Sequence, residues 1–311
     1  MTHAPGPLKL AVLADRGVVS VQGEDAEKLL SGLITNDMAV LSEQPALFTG
    51  LLSPQGKILF EFFVVRAAGG LLLEVAKEQA AGLVRRLTMY KLRAKVAIAD
   101  ASEAYKVAAA WGPGQPGSEP LLTPNYPDPR CAAVGNRLLL GAQAAARLDG
   151  IAKSHASDYQ VLSADHYHAH RIALAIPEGG MDYAFGDAFP HEADFDQLGG
   201  ISFEKGCFVG QEVVSRMQHR GTARKRIVPV AGAAALPATG SDIRAGEAAI
   251  GSLGSTARTL GLAMVRLDRA AEALAAGRSL TAGGVEIHLR QPAWATFKVP
   301  TKAASSAKGG A

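Results

Sequence analysis

The chain has little cysteine and no long hydrophobic run. Its 311 residues include two cysteines, Cys131 and Cys207, too few for a metal site built from a cysteine cluster. Cysteine usage this sparse is typical of a reducing compartment, so we expect a cytoplasmic protein. No apolar stretch approaches the roughly 18 residues of a membrane-spanning helix, and residues 1–17 lack the apolar core of an export signal. We therefore expect neither export nor a membrane partner.

Several signatures of common enzyme classes are also missing. The sequence contains no G-x-x-x-x-G-K-[ST], no H-E-x-x-H and no G-x-S-x-G, and its one match to G-x-G-x-x-G, at 112–117, lies in a proline-rich stretch and does not lead into a helical pattern. Nucleotide-driven chemistry, zinc proteolysis and serine hydrolysis thus lack support. The net charge of +3 is mild and mixed along the chain, so we predict no direct nucleic-acid partner.

The hydrophobic pattern of the first half predicts an α+β fold. Apolar runs at 47–52 and 58–66 flank the turn-forming Ser53–Gly56 and predict a hairpin. Helical spacing predicts helices over 24–34 and 77–90. Further strands are expected at 18–21, 71–75, 91–98, 107–110 and 138–140, and a proline-rich surface excursion at 112–129.

A run of alternating histidines lies in the stretch 149–176, which we expect to be mostly helical. On a strand, His166, His168 and His170 would share one face and could bind a metal, whereas on a helix only the first and last would meet. Ser163 or Asp165 would cap a helix here. The helix is therefore favoured, and we predict no metal site.

The stretch 201–216 contains the most unusual combination of residues. Lys205, Gly206 and Cys207 are followed closely by Gly210. Glycines permit unusual backbone conformations and a close approach of a ligand, and nearby positive charge favours a thiolate. The pattern fits a loop that presents a reactive thiol. It fits equally well a small buried cysteine between ordinary turns.

The same stretch resembles a known family signature. Lys205-Gly206-Cys207-Phe208-Val209-Gly210-Gln211-Glu212 resembles the K-G-C-[YF]-x-G-Q-E motif of YgfZ-type folate-binding proteins, which have a mitochondrial branch acting in iron-sulfur cluster assembly. The segments 18–37, 51–65, 92–96 and 171–177 resemble other parts of that family, although Ala175 stands where the family usually has glycine.

This resemblance implies a fold related to the glycine-cleavage T-protein. We expect α+β structure in a three-domain arrangement around a central cavity, with an antiparallel β-barrel domain at the C-terminal end. Two intertwined α+β subdomains would occupy residues 8–222 and the barrel 226–299. The low-complexity tail 300–311 is expected to be disordered.

The resemblance also implies a ligand, tetrahydrofolate or a related reduced folate. A carboxylate could pair with the pterin, and Glu192 is the first candidate and Asp187 the second; both fit surface acids equally well. The corner at Asn36 and Asp37 would face the folate, although both residues also suit a simple turn. The basic run from Arg216 through Arg220 to Arg226 could meet the glutamate tail, or could be a solvated connector.

Two functions follow from the resemblance. In the first, the protein is a folate-binding accessory factor for iron-sulfur cluster assembly or repair and for iron-sulfur-dependent tRNA modification, with Cys207 as its essential thiol and Lys205 beside it. Iron-sulfur enzymes or assembly proteins would be its partners. In the second, it is a tetrahydrofolate-dependent aminomethyltransferase of the T-protein type. The cysteine and the missing G-x-T-G-Y-T-G-E stretch favour the first.

Overall fold

The computed structural model describes residues 6–301 except 114–124, 142, 147, 149, 151–158 and 222. Most of the expected proline-rich excursion and nearly all of the expected disordered tail lie outside the described residues. No helix among the described residues is long and apolar enough to cross a membrane.

Strands dominate the described part of the chain. The strands are β1 (Leu8–Val12), β2 (Arg16–Gln22), β3 (Ala46–Leu52), β4 (Ile58–Ala67), β5 (Gly70–Ala76), β6 (Ala97–Asp100), β7 (Tyr105–Trp111), β8 (Asn125–Pro127), β9 (Asn136–Gly141), β10 (Tyr159–Val161), β11 (Lys225–Gly232), β12 (Asp242–Ala245), β13 (Ala248–Ala257), β14 (Leu260–Arg266), β15 (Leu280–Ala282) and β16 (Val285–Leu289). The helices with described bounds are α1 (Ala26–Ser31), α2 (Ala80–Lys91), α3 (Ala164–Ala173), α4 (Gln211–Arg220) and α5 (Leu267–Ala275).

Two five-stranded sheets share the first two thirds of the chain. One is antiparallel, in the order β3-β4-β5-β2-β6. The other has the order β10-β1-β7-β9-β8, in which only the β1–β10 pair is parallel. Because β1 belongs to the second sheet and β2 to the first, the chain passes from one sheet to the other and back.

The C-terminal strands close into an antiparallel barrel in the order β11-β14-β13-β12-β15-β16. Alternating apolar residues fill its interior, and Val228, Val230, Ala263 and Val265 are fully buried. Closure leaves no unpaired strand edge. The predicted α+β class with a C-terminal antiparallel barrel is therefore confirmed.

The predicted hairpin is present, since β3 and β4 pair antiparallel across the turn at 53–56. The strand predicted over 91–98 is wrong in its bounds. Residues 91–94 form a turn after α2, and the strand begins at Ala97. The helix predicted over 149–176 is also wrong in part, because β10 occupies 159–161 and the helix begins only at Ala164. Both errors arise where a short strand adjoins a helix in sequence.

Buried charged side chains meet where the two sheets, α3 and the barrel come together. Arg137 on β9 donates to Glu74 on β5 at 2.5 Å and to Asp128 at 3.3 Å. Arg171 on α3 donates to Asp182 at 2.8 Å and to the Ser255 hydroxyl in the barrel at 2.8 Å. The central ion network, as we call this set, also includes Arg16, Tyr126, Arg130, Tyr167 and Glu178.

Because the network is buried, each of its charged side chains needs an oppositely charged partner. Burial alone would raise the pKa of Glu178, but Arg171 and Arg16 hold it well below its usual value, so the carboxylate is charged. A buried charge without its partner is strongly unfavourable. The Arg137 guanidinium therefore depends on a carboxylate from the other sheet, that of Glu74.

We predict that Arg137→Met lowers the free energy of unfolding by about 3–5 kcal/mol, because it leaves Glu74 buried without this partner. Arg244→Met is the matched control, since Arg244 pairs with Asp242 on the surface and such pairs contribute about 0–1 kcal/mol. Urea unfolding of both variants measures the difference. Equal losses would show that the network does not hold the units together.

The position that departs from the family pattern, Ala175, has a left-handed backbone. Its φ is +62° and its side chain is buried. An L-residue with a β-carbon is disfavoured in this region, and glycine is not. Ala175 therefore introduces backbone strain just after α3.

Ala175→Gly should consequently stabilise the fold or leave its stability unchanged, with a gain of up to about 1 kcal/mol. In the exposed interior of α5, Ala271→Gly should lose about 1 kcal/mol instead, because glycine is a poor helix former. Thermal melts of the two variants should move in opposite directions. A matched loss in both would mean that Ala175 is not strained.

Candidate functional site

The Lys205–Glu212 loop presents a cysteine to solvent. Cys207 is exposed, whereas the other cysteine, Cys131, is half-buried. Phe208 follows directly and is 8% exposed within the core. The loop is thus anchored by one side chain while its neighbour points outward. This placement disagrees with the interpretation of Cys207 as a small buried hydrophobe.

The side chain of Lys205 caps the C-terminal end of helix α1. Its ammonium donates to the carbonyls of Ser31, Ile34 and Asn36 at 2.8, 2.7 and 3.0 Å. These carbonyls lie at and just beyond the end of α1, where helical backbone acceptors lack partners. Burial lowers the pKa of the ammonium. The contacts of Lys205 are therefore those of a helix cap, a role that the sequence analysis missed because α1 is distant in sequence.

Gly210 fixes the end of the loop by close packing. Its φ is +83°, and a β-carbon there would lie 2.7 Å from the Ser53 carbonyl and 3.0 Å from Gly56 Cα. The loop is thereby pressed against the β3–β4 turn. Gly206 differs, since a β-carbon would meet nothing within 4 Å.

The remaining motif residues begin α4. Gln211 donates its backbone N–H to the Phe208 carbonyl at 3.2 Å. Glu212 forms an exposed ion pair with Arg216, one turn further along, at 2.6 Å. Motif positions 211 and 212 thus contribute to the start of a helix, and α4 projects from the loop.

A cleft with a volume of about 430 Å³ adjoins the cysteine loop. Residues 201–204 form one wall and continue directly into Lys205. The cleft is also lined by Val40, Leu47 and Phe48, and by Asn36 and Gly199. The thiol loop and a cavity of ligand size therefore share one segment.

Asn36 and Asp37 have clear structural roles in this corner. The Asn36 amide donates to the carbonyls of Phe48 at 2.8 Å and Gly199 at 2.7 Å. Asp37 accepts from the Ala39 N–H and caps the short 3-10 helix at Met38–Ser42. Asn36 lines the cleft, as the folate-facing expectation requires, but its amide already joins β3 to the loop at Gly199.

The two predicted pterin carboxylates are not placed together. Asp187 is exposed, and the Lys57 ammonium donates to its backbone carbonyl. Glu192 is half-buried and accepts from the Phe189 N–H at 2.9 Å, which closes its own turn. Each residue therefore has the local role that a surface or turn acid would have.

The predicted basic run does not form a single patch. Arg226 is buried, donates to Asp194 and Asp196 at 3.1 and 2.7 Å, and lies over the Phe297 ring. Arg216 is on α4 and pairs with Glu212. The side chain of Arg220 is not among those the structure describes. The expectation of one continuous basic surface fails because carboxylates distant in sequence reach Arg226.

A second cavity, with a volume of about 420 Å³, lies between the end of α3 and the barrel. Its walls are mainly apolar and include Trp294, Leu260 and Ala175, with Cys131 on one side and Arg290 on another. The Trp294 indole N–H donates to the Leu174 carbonyl at 3.0 Å, which fixes the ring. The sequence analysis did not predict this cavity. Trp294, one of two tryptophans in the sequence, was a signal that could have indicated it.

The structure brings two carboxylates to the histidine helix. Asp15, His168 and Glu178 place possible ligand atoms within 4.8 Å of one another. However, Arg171 Nε is 3.2 Å from both His168 Nδ1 and Glu178 Oε2, so a positive charge already occupies the centre of this group. The arrangement is therefore that of an ion network.

Comparison with known proteins identifies the architecture. Residues 224–297 match the CAF17 C-terminal β-barrel domain. The structure superimposes on the glycine cleavage system aminomethyltransferase T from Bartonella henselae with a TM-score of 0.73, 16% identity, and coverage of 96% of this chain and 88% of that one. At this identity the likeness shows the fold alone, and it confirms the T-protein-like arrangement.

Curated relatives identify the family. The chain is 35% identical over 242 residues to the mitochondrial iron-sulfur cluster assembly factor IBA57 homolog of Mycosarcoma maydis, covering 71% of this chain and 57% of that protein. The corresponding Neurospora crassa protein is 32% identical, with 71% and 53% covered. The alignments thus span just over half the length of these fungal relatives. The Mus musculus IBA57 is 32% identical over 249 residues, with 73% and 67% covered.

These relatives are all named as mitochondrial, which contradicts the expected cytoplasmic location. The expectation failed because sparse cysteine usage indicates a reducing compartment without saying which one. The identity and coverage of the murine relative place this chain in the IBA57 family of iron-sulfur cluster assembly factors.

Proposed function

We propose that the protein is an accessory factor in iron-sulfur cluster assembly or repair that acts through the thiol of Cys207 and binds a reduced folate. The observation that carries the proposal is the exposure of Cys207 on a loop held at both ends. Lys205 anchors one end to α1 and Gly210 the other to the β3–β4 turn. The thiol is thereby accessible to a macromolecule without a disordered loop.

The chemistry of iron-sulfur clusters explains why one exposed thiol is useful. Such clusters are held mainly by cysteine thiolates, typically four. At this loop the chain offers Cys207 alone, and Cys131 lies beside the cavity next to Trp294. Cys207 can therefore supply one ligand to a cluster in place of one thiolate of a client iron-sulfur protein, which leaves as a thiol with the proton that Cys207 loses, while the client keeps the other ligands.

The folate part of the proposal is supported by the cavity next to Trp294. Its volume suits a small organic ligand, and its apolar walls with one fixed indole suit a flat ring system. Arg290 at the wall is exposed and offers a cation for a carboxylate. Glu192 and Asp187 remain the alternative pterin contacts.

The aminomethyltransferase alternative has weaker support. The T-protein likeness shows a shared fold, and one fold can host unrelated functions. An acid must steer the amine in that reaction, and no step of it needs a thiol, whereas the motif loop here has its thiol exposed. The proposal also keeps a role in iron-sulfur-dependent tRNA modification, which the resemblance to the YgfZ-type motif implies.

We predict that Cys207→Ala abolishes support of iron-sulfur enzyme activity while the free energy of unfolding changes by less than about 0.5 kcal/mol, as expected for an exposed side chain. Native Cys207 should react with iodoacetamide faster than Cys131, because only the former is exposed. The measurements are labelling rates against pH, a thermal melt, and the activity of an iron-sulfur client enzyme in a strain that carries the variant.

Ser252→Ala, an exposed change of similar size on the barrel, is the matched control and should retain function. A functionally silent Cys207→Ala, or a Cys207→Ala protein whose lost activity tracks a lower melting temperature, would remove the thiol from the mechanism.

For the ligand, isothermal titration with tetrahydrofolate should show saturable heat. Trp294→Ala should weaken binding at least tenfold, because the cavity loses its aromatic wall. Arg278→Ala, an exposed change on the barrel unit, is the control. Glu192→Gln tests the alternative pterin contact. No heat at millimolar ligand would refute folate binding while leaving the role of Cys207 intact.

A further inference from the structure

A strained turn follows α2 and contains an exposed leucine. The turn runs from Lys91 to Ala94, whose N–H donates to the Lys91 carbonyl at 2.8 Å. Leu92 has φ +46° and ψ −109°. These angles match the first central position of a type II′ turn, which glycine dominates. A bulky residue there is a genuine outlier.

Burial does not offset this strain. Leu92 is 86% exposed and Met89, three positions earlier, is 69% exposed, the highest values among the exposed large hydrophobic residues of the described chain. On the same helix, Leu83 and Leu87 are completely buried. The core is therefore complete without Met89 and Leu92. Strained positions retained without a packing reason tend to cluster at functional sites.

Positive charge surrounds the two apolar side chains. Arg85, Arg86, Lys91 and Arg93 have no ion pair within the part of the chain that the structure describes. Lys95 differs, because it pairs with Glu24 at 2.6 Å. We refer to one set of six residues as the Met89–Leu92 patch: Arg85, Arg86, Met89, Lys91, Leu92 and Arg93.

We propose that the Met89–Leu92 patch docks an acidic partner protein, with Leu92 and Met89 entering an apolar recess that carboxylates surround. Four unpaired cations favour an anionic partner. Methionine and arginine are enriched in protein interfaces, and apolar anchors at the centre of a polar rim are typical of hot spots. No residue of this patch lines either cavity and the patch does not include Cys207, so the inference does not depend on the proposed function.

Nucleic acid and membranes fit the patch less well. Nucleic-acid surfaces use cations for phosphates and aromatic rings for bases, whereas the two most exposed side chains here are aliphatic. A membrane-surface helix needs one whole face free, and the apolar face of α2 is buried through Leu83 and Leu87.

The decisive variant is Leu92→Gly. Glycine suits the turn, so the melting temperature should rise or stay unchanged. Binding to an acidic helical peptide of about 18 residues, with leucines spaced to form one apolar face, should weaken at least tenfold. Fluorescence anisotropy of the labelled peptide with the full-length protein measures the affinity. A structural role for Leu92 would instead lower the melting temperature.

Control variants separate charge from apolar contact. Arg93→Glu should also weaken peptide binding at least tenfold, whereas Arg278→Glu and Met181→Ser, which change an exposed cation and an exposed methionine elsewhere, should change it less than twofold. A peptide with serine in place of leucine should bind at least tenfold more weakly.

Two results would overturn the proposal. One is the absence of saturable peptide binding at any salt concentration. The other is tighter binding of single-stranded RNA or of phosphatidylserine vesicles than of the acidic peptide, with the same dependence on Arg93.

Discussion

The arrangement of the three structural units depends on buried guanidinium groups whose hydrogen bonds cross unit boundaries. Arg137 from the second sheet requires Glu74 from the first, and Arg171 from α3 requires the barrel hydroxyl of Ser255. Such pairs add less net stability than apolar packing of equal volume would, because desolvation offsets most of the attraction. They do, however, penalise every arrangement in which a partner is displaced. The network thus makes one relative placement of the units much lower in free energy than other placements close to it.

Because its surroundings are fixed, the Lys205–Glu212 loop can be exposed and still ordered. The Lys205 ammonium stabilises three carbonyls at the end of α1, and Phe208 packs into the core. Between them, Cys207 contributes nothing to packing and is free to react. The lysine and a glycine of the motif therefore position the loop, and the proposed function assigns the chemistry to the cysteine.

Local patterns in the sequence predicted local structure well. The β3–β4 hairpin and α2 follow from apolar periodicity and turn residues, which act over a few positions. Contacts between distant residues could not be predicted in this way. In sequence Arg226 is part of a basic run, but in the fold it pairs with Asp194 and Asp196. Lys205 was expected to act beside the thiol, but its ammonium contacts the end of α1. The exposure of Cys207 likewise depended on packing that the motif alone does not specify.

Two non-glycine residues with positive φ, Ala175 and Leu92, show how environment changes the meaning of backbone strain. Ala175 is buried in the wall of the cavity beside Trp294, where its methyl group packs against neighbours and recovers part of the cost. Leu92 has the larger side chain and almost no contact with the protein. Strain that packing offsets is explained by the fold, whereas strain on an exposed apolar side chain has no compensation within the monomer. In the proposed interface the partner supplies that compensation, which is why the turn after α2, rather than the turn after α3, is proposed as a binding surface.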